Sequence, residues 1–346
     1  MIYPKNLEKG YKIGVTATSS GNDSEVDLIR LDSGISQLTE MGYPIIETNN
    51  VRKNYKGRSS DGKTRAKELM ELFTNPEVRV IMAAGGGDYL VEMLSHIDFD
   101  LLKNHPKWLQ GFSDTTGINF TITTNLDIAS IYANNFSSFG MKPWHRSLHD
   151  NIRILEGNDI IQHSFDKFQD GYRSRETGYE GFYLDKDVEW KNVMPQSSKK
   201  GDELTINGRT IGGCLDVLLS LVGTRFDKTC DFVERYAQDG ILWYLESYDL
   251  SSEDLTRGLW QLKEAGWFNH ATGFVFGRPA MYESAYEISY EEAVLSVLGE
   301  LDLPIILDAD IGHKSPQVTM INGAITTITS KDGKGIITFE RRSLLL

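Results

Sequence analysis

Val78-Arg79-Val80-Ile81-Met82-Ala83-Ala84-Gly85-Gly86-Gly87-Asp88 reads as a buried strand that runs straight into three glycines and the start of a helix. A short, nearly continuous apolar run bounded by glycines suits a strand covered on both faces, as in a parallel sheet. Backbone N–H groups left bare by such a turn lie at the carboxyl edge of the sheet, where open α/β proteins bind ligands. The triplet lacks the Gly-x-Gly-x-x-Gly spacing and the Walker lysine, which argues against a dinucleotide or nucleoside-triphosphate loop. Two readings stay open: a loop that lets a ligand approach backbone, or a tight turn that needs positive φ.

The flanking sequence extends the same pattern. Upstream, Tyr11 to Thr18 is a strand ending in the small polar cluster Ser19-Ser20-Gly21-Asn22-Asp23. A helix from about Ser24 to Met41, a strand at Pro44 to Glu47 and a helix from about Gly62 to Phe73 follow. This is the opening of a βαβ series, which implies a parallel sheet with helices on both faces. Downstream, Trp108 to Gly111 leads into Gln110-Gly111-Phe112-Ser113-Asp114-Thr115-Thr116-Gly117 and then into a run that can be helical. Ser113 is thereby placed on a sharp strand-to-helix turn, either as an ordinary helix cap or as an exposed nucleophile. A further strand at Ile128 to Ala133 ends in Asn134-Asn135-Phe136. Three strand ends carrying glycines, a serine and asparagines are thus expected at one edge.

Patterning weakens between about Trp144 and Asn207, where Tyr172, Tyr179, Phe182, Tyr183 and Trp190 are set in polar sequence. Regularity returns with a helix at Leu215 to Leu221, a strongly apolar strand from Gly240 to Leu245 ending at Glu246, and a strand from Thr272 to Gly277. Beyond a strand at Pro304 to Asp308, β-ribbons are predicted around the turns Asn322-Gly323 and Asp332-Gly333. The expected fold is α/β: a flavodoxin- or Rossmann-like parallel-sheet domain over 1–145 and a smaller C-terminal α/β domain with antiparallel strands over 207–346. Between them, 146–206 is a connecting segment and a possible active-site loop.

Composition narrows the function classes. A net charge of -13 over 346 residues, with no long Lys/Arg run, argues against nucleic acid as the main partner. No stretch is apolar enough to span a bilayer, and Met1-Ile2-Tyr3-Pro4-Lys5 does not lead a signal peptide, so a cytoplasmic protein without membrane contact is expected. Two cysteines, Cys214 and Cys230, exclude a disulfide framework and a Cys-rich metal site.

A nucleophilic Ser113 needs a base. Among seven histidines, His313 stands out because Asp310-Ile311-Gly312-His313 follows a buried strand, where a loop can present an imidazole to a cleft. Glu246 ends the most apolar strand of the second domain, either as a cap or ion-pair residue or to orient an imidazole. The order Ser113, Glu246, His313 is also that of α/β-hydrolases, although triads on unrelated folds use other orders.

Gly111-Phe112-Ser113-Asp114, the Gly85-Gly86-Gly87 turn, Ile211-Gly212-Gly213, Gly223-Thr224, Leu245-Glu246, Gly277-Arg278 and Ile311-Gly312-His313 together resemble the LD-carboxypeptidase family of serine peptidases, from Lys12 to about Gly323. Chain length and the aromatic segment before Gly201 look most like the branch of microcin C immunity proteins. The resemblance implies a Ser113–Glu246–His313 triad, with the nucleophile in one domain and its partners in the other. It also implies an oxyanion hole from the amides of Gly86 and Asp114, no metal or organic cofactor, and a homodimer. Gly85, Gly87, Asn135, Trp190 and Arg278 are the expected substrate contacts, Trp190 by stacking on a base. Cys214 departs from the family, where many relatives have Asn. The implied substrate is an aminoacyl-nucleotide or, alternatively, a murein tetrapeptide losing its terminal D-alanine. A rival of another class is a non-catalytic protein that binds a small phosphate or carboxylate in the same crevice.

Overall fold

A computed structural model of the chain describes residues 1–195 and 203–341. Within them lie two compact units, one formed by 1–159 with 173–182 and the other by 160–172 with 183–341. The span 146–206 is therefore shared between the units, and its residues 196–202 lie outside the described ones.

The first unit alternates strands β1 (Lys12–Thr16), β2 (Ile45–Glu47), β3 (Val78–Ala83), β4 (Trp108–Gly111) and β5 (Ser130–Tyr132) with helices α1 (Glu25–Glu40), α2 (Gly62–Thr74), α3 (Val91–Leu94), α4 (Phe99–Asn104) and α5 (Thr116–Leu126), and closes with α6 (Arg146–Leu155). The strands lie in the order β5-β4-β3-β1-β2, all parallel. The near-continuous apolar β3 is the central strand of these five, as its sequence predicts, and Val80, Ile81, Met82 and Ala83 are fully buried. Side-chain caps start the helices where the sequence offers them: Ser24 accepts the Asp27 N–H and Asp61 accepts the Thr64 N–H. Helix α5 is different, because all its residues but Asn125 are buried. Two of its threonine hydroxyls turn onto its own backbone, Thr121 to the Gly117 carbonyl and Thr124 to that of Phe120, and Thr123 donates to the Ile128 carbonyl, so these hydroxyls are buried with their hydrogen bonds made.

Residues 173–182 belong with the first unit because buried Arg30 binds their backbone. Its Nη1 donates to the carbonyls of Gly178 and Glu180, at 3.0 and 2.9 Å, and burial lowers its pKa to about 10.

The second unit is built on an eight-stranded mixed sheet, β6-β16-β15-β10-β11-β12-β13-β9. Its strands are β6 (Gln162–His163), β9 (Lys191–Val193), β10 (Glu203–Cys214), β11 (Ile241–Glu246), β12 (Ala271–Gly277), β13 (Ile305–Ala309), β15 (Ile325–Lys331) and β16 (Lys334–Glu340). A small ribbon joins β7 (Lys167–Phe168) to β8 (Lys186–Asp187), and β14 (Met320–Asn322) precedes β15. Helices α7 (Leu215–Leu221), α8 (Thr229–Arg235), α9 (Ser252–Glu264) and α10 (Tyr290–Leu298) complete it.

Strand β10 joins two kinds of pairing. Glu203 to Arg209 run antiparallel to β15, and Arg209 to Cys214 run parallel to β11, with Cys214 opposite Glu246. Asp332-Gly333 forms the expected hairpin turn, with φ of +49° and +74°. Asn322-Gly323 does not act as a second such turn: the buried Asn322 side chain accepts the Gly212 N–H and the Tyr244 hydroxyl, so its polar group serves the interior.

Candidate active site

In the first unit the chain leaves β4 through an extended Phe112 and enters a 3-10 turn at Ser113–Thr115 before α5. Ser113 has φ +63°, a left-handed conformation that costs an L-residue about 1–2 kcal/mol. Such strain persists only where the surroundings over-determine it. Here the Phe112 N–H donates to Asn135 Oδ1 at 3.1 Å, and the Ser113 N–H points at the Tyr132 hydroxyl at 3.4 Å. Asn119 of α5 reaches back to the carbonyls of Gly111 and Ile131, at 3.1 and 3.0 Å, and ties the helix to both strands.

The glycine loop after β3 lies against this turn. A Cβ on Gly86 would stand 3.1 Å from Ser113 Oγ and 3.2 Å from its Cβ, so a side chain there would press on the hydroxyl. Ser20, from the loop after β1, fixes Gly86 by donating both its N–H and its Oγ to the Gly86 carbonyl, each at 3.2 Å. Asp114 fastens the same loop from the other side, its Oδ2 accepting the Leu90 N–H at 2.9 Å. Burial pushes the Asp114 carboxyl up, against the Ser19 and Leu90 donors that favour its ionised form. The arrangement brings a strained serine hydroxyl and two backbone amides, those of Gly86 and Asp114, to one strand-end region.

In the second unit β11 carries Glu246 to its carboxyl end, where the side chain is fully buried. His313 sits in the loop after β13, and its Nδ1 lies 2.8 Å from Glu246 Oε2. Gly312, with φ +91°, makes this approach possible, because a Cβ on it would lie 2.5 Å from that same oxygen. Burial pulls the pKa of His313 down, but Glu246, by charge and hydrogen bond, and the Asp216 and Asp249 carboxylates outweigh it, so the net shift is upward. With Nδ1 engaged by a carboxylate, a proton exchanged with a substrate or nucleophile would pass through the other ring nitrogen, Nε2.

The expected substrate contacts fall out less well. Trp190 is 2% exposed, its indole N–H donates to Asp310 Oδ2 at 3.2 Å, and its ring covers Gly335, so it is a core residue of the second unit, not a platform for a base. Arg278 is also withdrawn from that role: it pairs with buried Asp310, donates to the Asp308 carbonyl and lies over the Phe168 ring. Asn135 is 4% exposed and its oxygen is used on Phe112, which makes it a support of the Ser113 turn. Gly85 has open space where a side chain would be, whereas Gly87 is packed against Ser19 and Ser20. The sequence reading missed Ser20, Tyr132, Asn119 and Gly312 as supports. The Ser19-Ser20 cluster was visible at a strand end, but nothing in one sequence told which loop it would hold.

Two family models match the chain: the LD-carboxypeptidase N-terminal domain over residues 13–133 and the LD-carboxypeptidase C-terminal domain over 207–328. A Bacillus subtilis protein named "Probable murein peptide carboxypeptidase" is 23% identical over 337 residues, covering 96% of this chain and 93% of that one. The microcin C7 self-immunity protein MccF of Escherichia coli is 23% identical over 327 residues, covering 90% and 88%. A solved structure under that protein's name, in complex with aspartyl sulfamoyl adenosine, superposes with a TM-score of 0.79 at 22% identity over 99% of each chain. The crystal structure of an MccF-like protein from Bacillus anthracis gives a TM-score of 0.81 at 25% identity, covering 99% of this chain and 100% of that one.

Proposed function

The chain belongs to the LD-carboxypeptidase family, and from that premise we propose that it is a metal-independent serine hydrolase that cleaves an amide-type bond through an acyl-enzyme. Ser113 is the nucleophile, His313 takes its proton on Nε2 and returns it to the leaving group, and Glu246 holds the imidazole tautomer. The amides of Gly86 and Asp114 receive the developing oxyanion. Water, activated by the same imidazole, then releases the acyl group and restores Ser113. The observation that carries this reading is Ser113 at φ +63° with Gly86 so near that a Cβ on it would stand 3.1 Å from Ser113 Oγ. A helix cap needs neither that conformation nor that neighbour.

The preferred substrate is an aminoacyl group joined to a modified nucleotide, as in the microcin C immunity branch. Its support is the full-length likeness to MccF-like structures; Trp190 no longer contributes, because it is buried. A murein tetrapeptide is the second reading, favoured by the Bacillus subtilis relative. We place the reaction in the cytoplasm and the enzyme as a homodimer. Assaying both substrates side by side with wild type and Ser113→Ala is the test: release of aspartate or of D-alanine by wild type only is expected, and turnover of neither, or equal turnover by Ser113→Ala, overturns the reading.

A further inference from the structure

Strand β11 does not end freely after Glu246. The carboxylate of Asp216, in the first turn of α7, forks onto the two backbone N–H groups of the loop that follows: Oδ2 accepts from Tyr248 at 3.0 Å and Oδ1 from Asp249 at 3.1 Å. The S–H of buried Cys214 also points at Asp216 Oδ2, at 3.4 Å. Held this way, the Tyr248 ring lies 4.8 Å from the His313 ring at an interplanar angle of 48°, while Glu246 holds Nδ1. The imidazole is thus confined by one carboxylate and one aromatic wall, and the wall is set by a second carboxylate.

We infer that Asp216 and Tyr248 are positioning residues for His313: Asp216 fixes the loop after Glu246, and the Tyr248 ring so placed holds the imidazole in the plane that Glu246 requires. This rests on the hydrolase reading above for its consequence in catalysis, but not for its consequence in the imidazole itself.

The charges facing His313 within the second unit all bear on the test. Glu246 comes from β11, Asp216 from α7, and Tyr248 and Asp249 from the loop after β11. On its own turn Lys314 is paired with Asp170 at 2.8 Å and Asp310 with Arg278, so neither offers an unbalanced charge. Buried Cys214 and Tyr290 are held neutral by burial. Asp216 is therefore one of three carboxylates that favour the imidazolium, and it grips the Tyr248 loop by both its oxygens.

The experiment is an NMR titration of the His313 imidazole in the full chain, together with pH profiles of kcat/KM, for wild type, Asp216→Asn, Tyr248→Ala and Tyr248→Phe. In Asp216→Asn the His313 midpoint falls by roughly half a pH unit and the acid limb of kcat/KM moves with it. In Tyr248→Ala kcat falls roughly tenfold with KM nearly unchanged, as for a misplaced catalytic group. Tyr248→Phe restores it, because the wall and not the hydroxyl acts. A His313 midpoint unmoved in folded Asp216→Asn overturns the inference, as does a Tyr248→Phe as impaired as Tyr248→Ala. If Asp216→Asn does not fold, the two Tyr248 variants, in which the carboxylate fork is intact, still decide. A wild type that turns over neither substrate sinks the hydrolase reading, whereas the titration judges the Asp216 effect separately.

Discussion

The Ser113 turn and the Glu246–His313 pair place reactive groups at strand ends by opposite means. Around Ser113 the work is done by backbone: a left-handed φ, a glycine whose missing side chain admits the hydroxyl, and amide and carbonyl groups held by Ser20, Asn119 and Asn135. Around His313 it is done chiefly by a charged side-chain bond, for which Gly312 leaves the space. A backbone-built feature resists pH and fails when a side chain intrudes. A charge-built feature titrates.

That contrast orders the expected effects of substitution. Removing the nucleophile in Ser113→Ala costs on the order of a millionfold in kcat with folding retained, measurable by turnover and thermal unfolding. Glu246→Gln leaves the imidazole in place but spoils its tautomer, for a loss of about ten-thousandfold. Gly86→Ala sets a methyl 3.1 Å from Ser113 Oγ and displaces one oxyanion donor, for roughly a hundred- to a thousandfold. The two last variants separate the regions: Glu246→Gln also shifts the acid limb of the pH profile, and Gly86→Ala does not. An equal shift in both would break the contrast.

The pH dependence follows from the raised His313 pKa, which Glu246 sustains against burial. A group whose folded pKa is raised adds stability that is complete below its unfolded value and is lost as pH climbs through the folded one. A base must be neutral to act, so activity rises through the same window in which that stability is lost. The acid limb of kcat/KM is expected to have its midpoint above the ordinary histidine value of about 6.5. A midpoint below it would mean that desolvation wins over the carboxylates. The smallest effect expected is on stability: Asn119→Leu leaves the Gly111 and Ile131 carbonyls without this donor and costs about 1–3 kcal/mol by denaturant titration.

The same contrast explains what the sequence disclosed. Apolar runs such as Val78–Ala83 and Ile241–Glu246 announce buried parallel strands, and the glycines and serine after them mark the turns, because strand burial and turn chemistry are local properties. In the first half of β10, Glu203, Thr205 and Asn207 alternate with Leu204, Ile206 and Gly208 as on a half-buried strand, but its antiparallel partner lies more than a hundred residues away, so the pairing is not local. Trp190 misled for a related reason. An aromatic residue in polar sequence looks available for a ligand, and only the distant Asp310 and Gly335 show that it is buried. Supports such as Ser20 on Gly86, or Asp216 on the Tyr248 loop, are contacts between separate strand ends and leave no spacing to read.

In the proposed mechanism Ser113 carries the acyl group. Rapid-quench intact mass spectrometry with an aspartyl-nucleotide substrate, followed by peptide mapping, measures it directly. A transient adduct of the aspartyl mass is expected on the peptide containing Ser113, absent from Ser113→Ala. Turnover with the adduct on another residue, or an adduct that persists in Ser113→Ala, would contradict it.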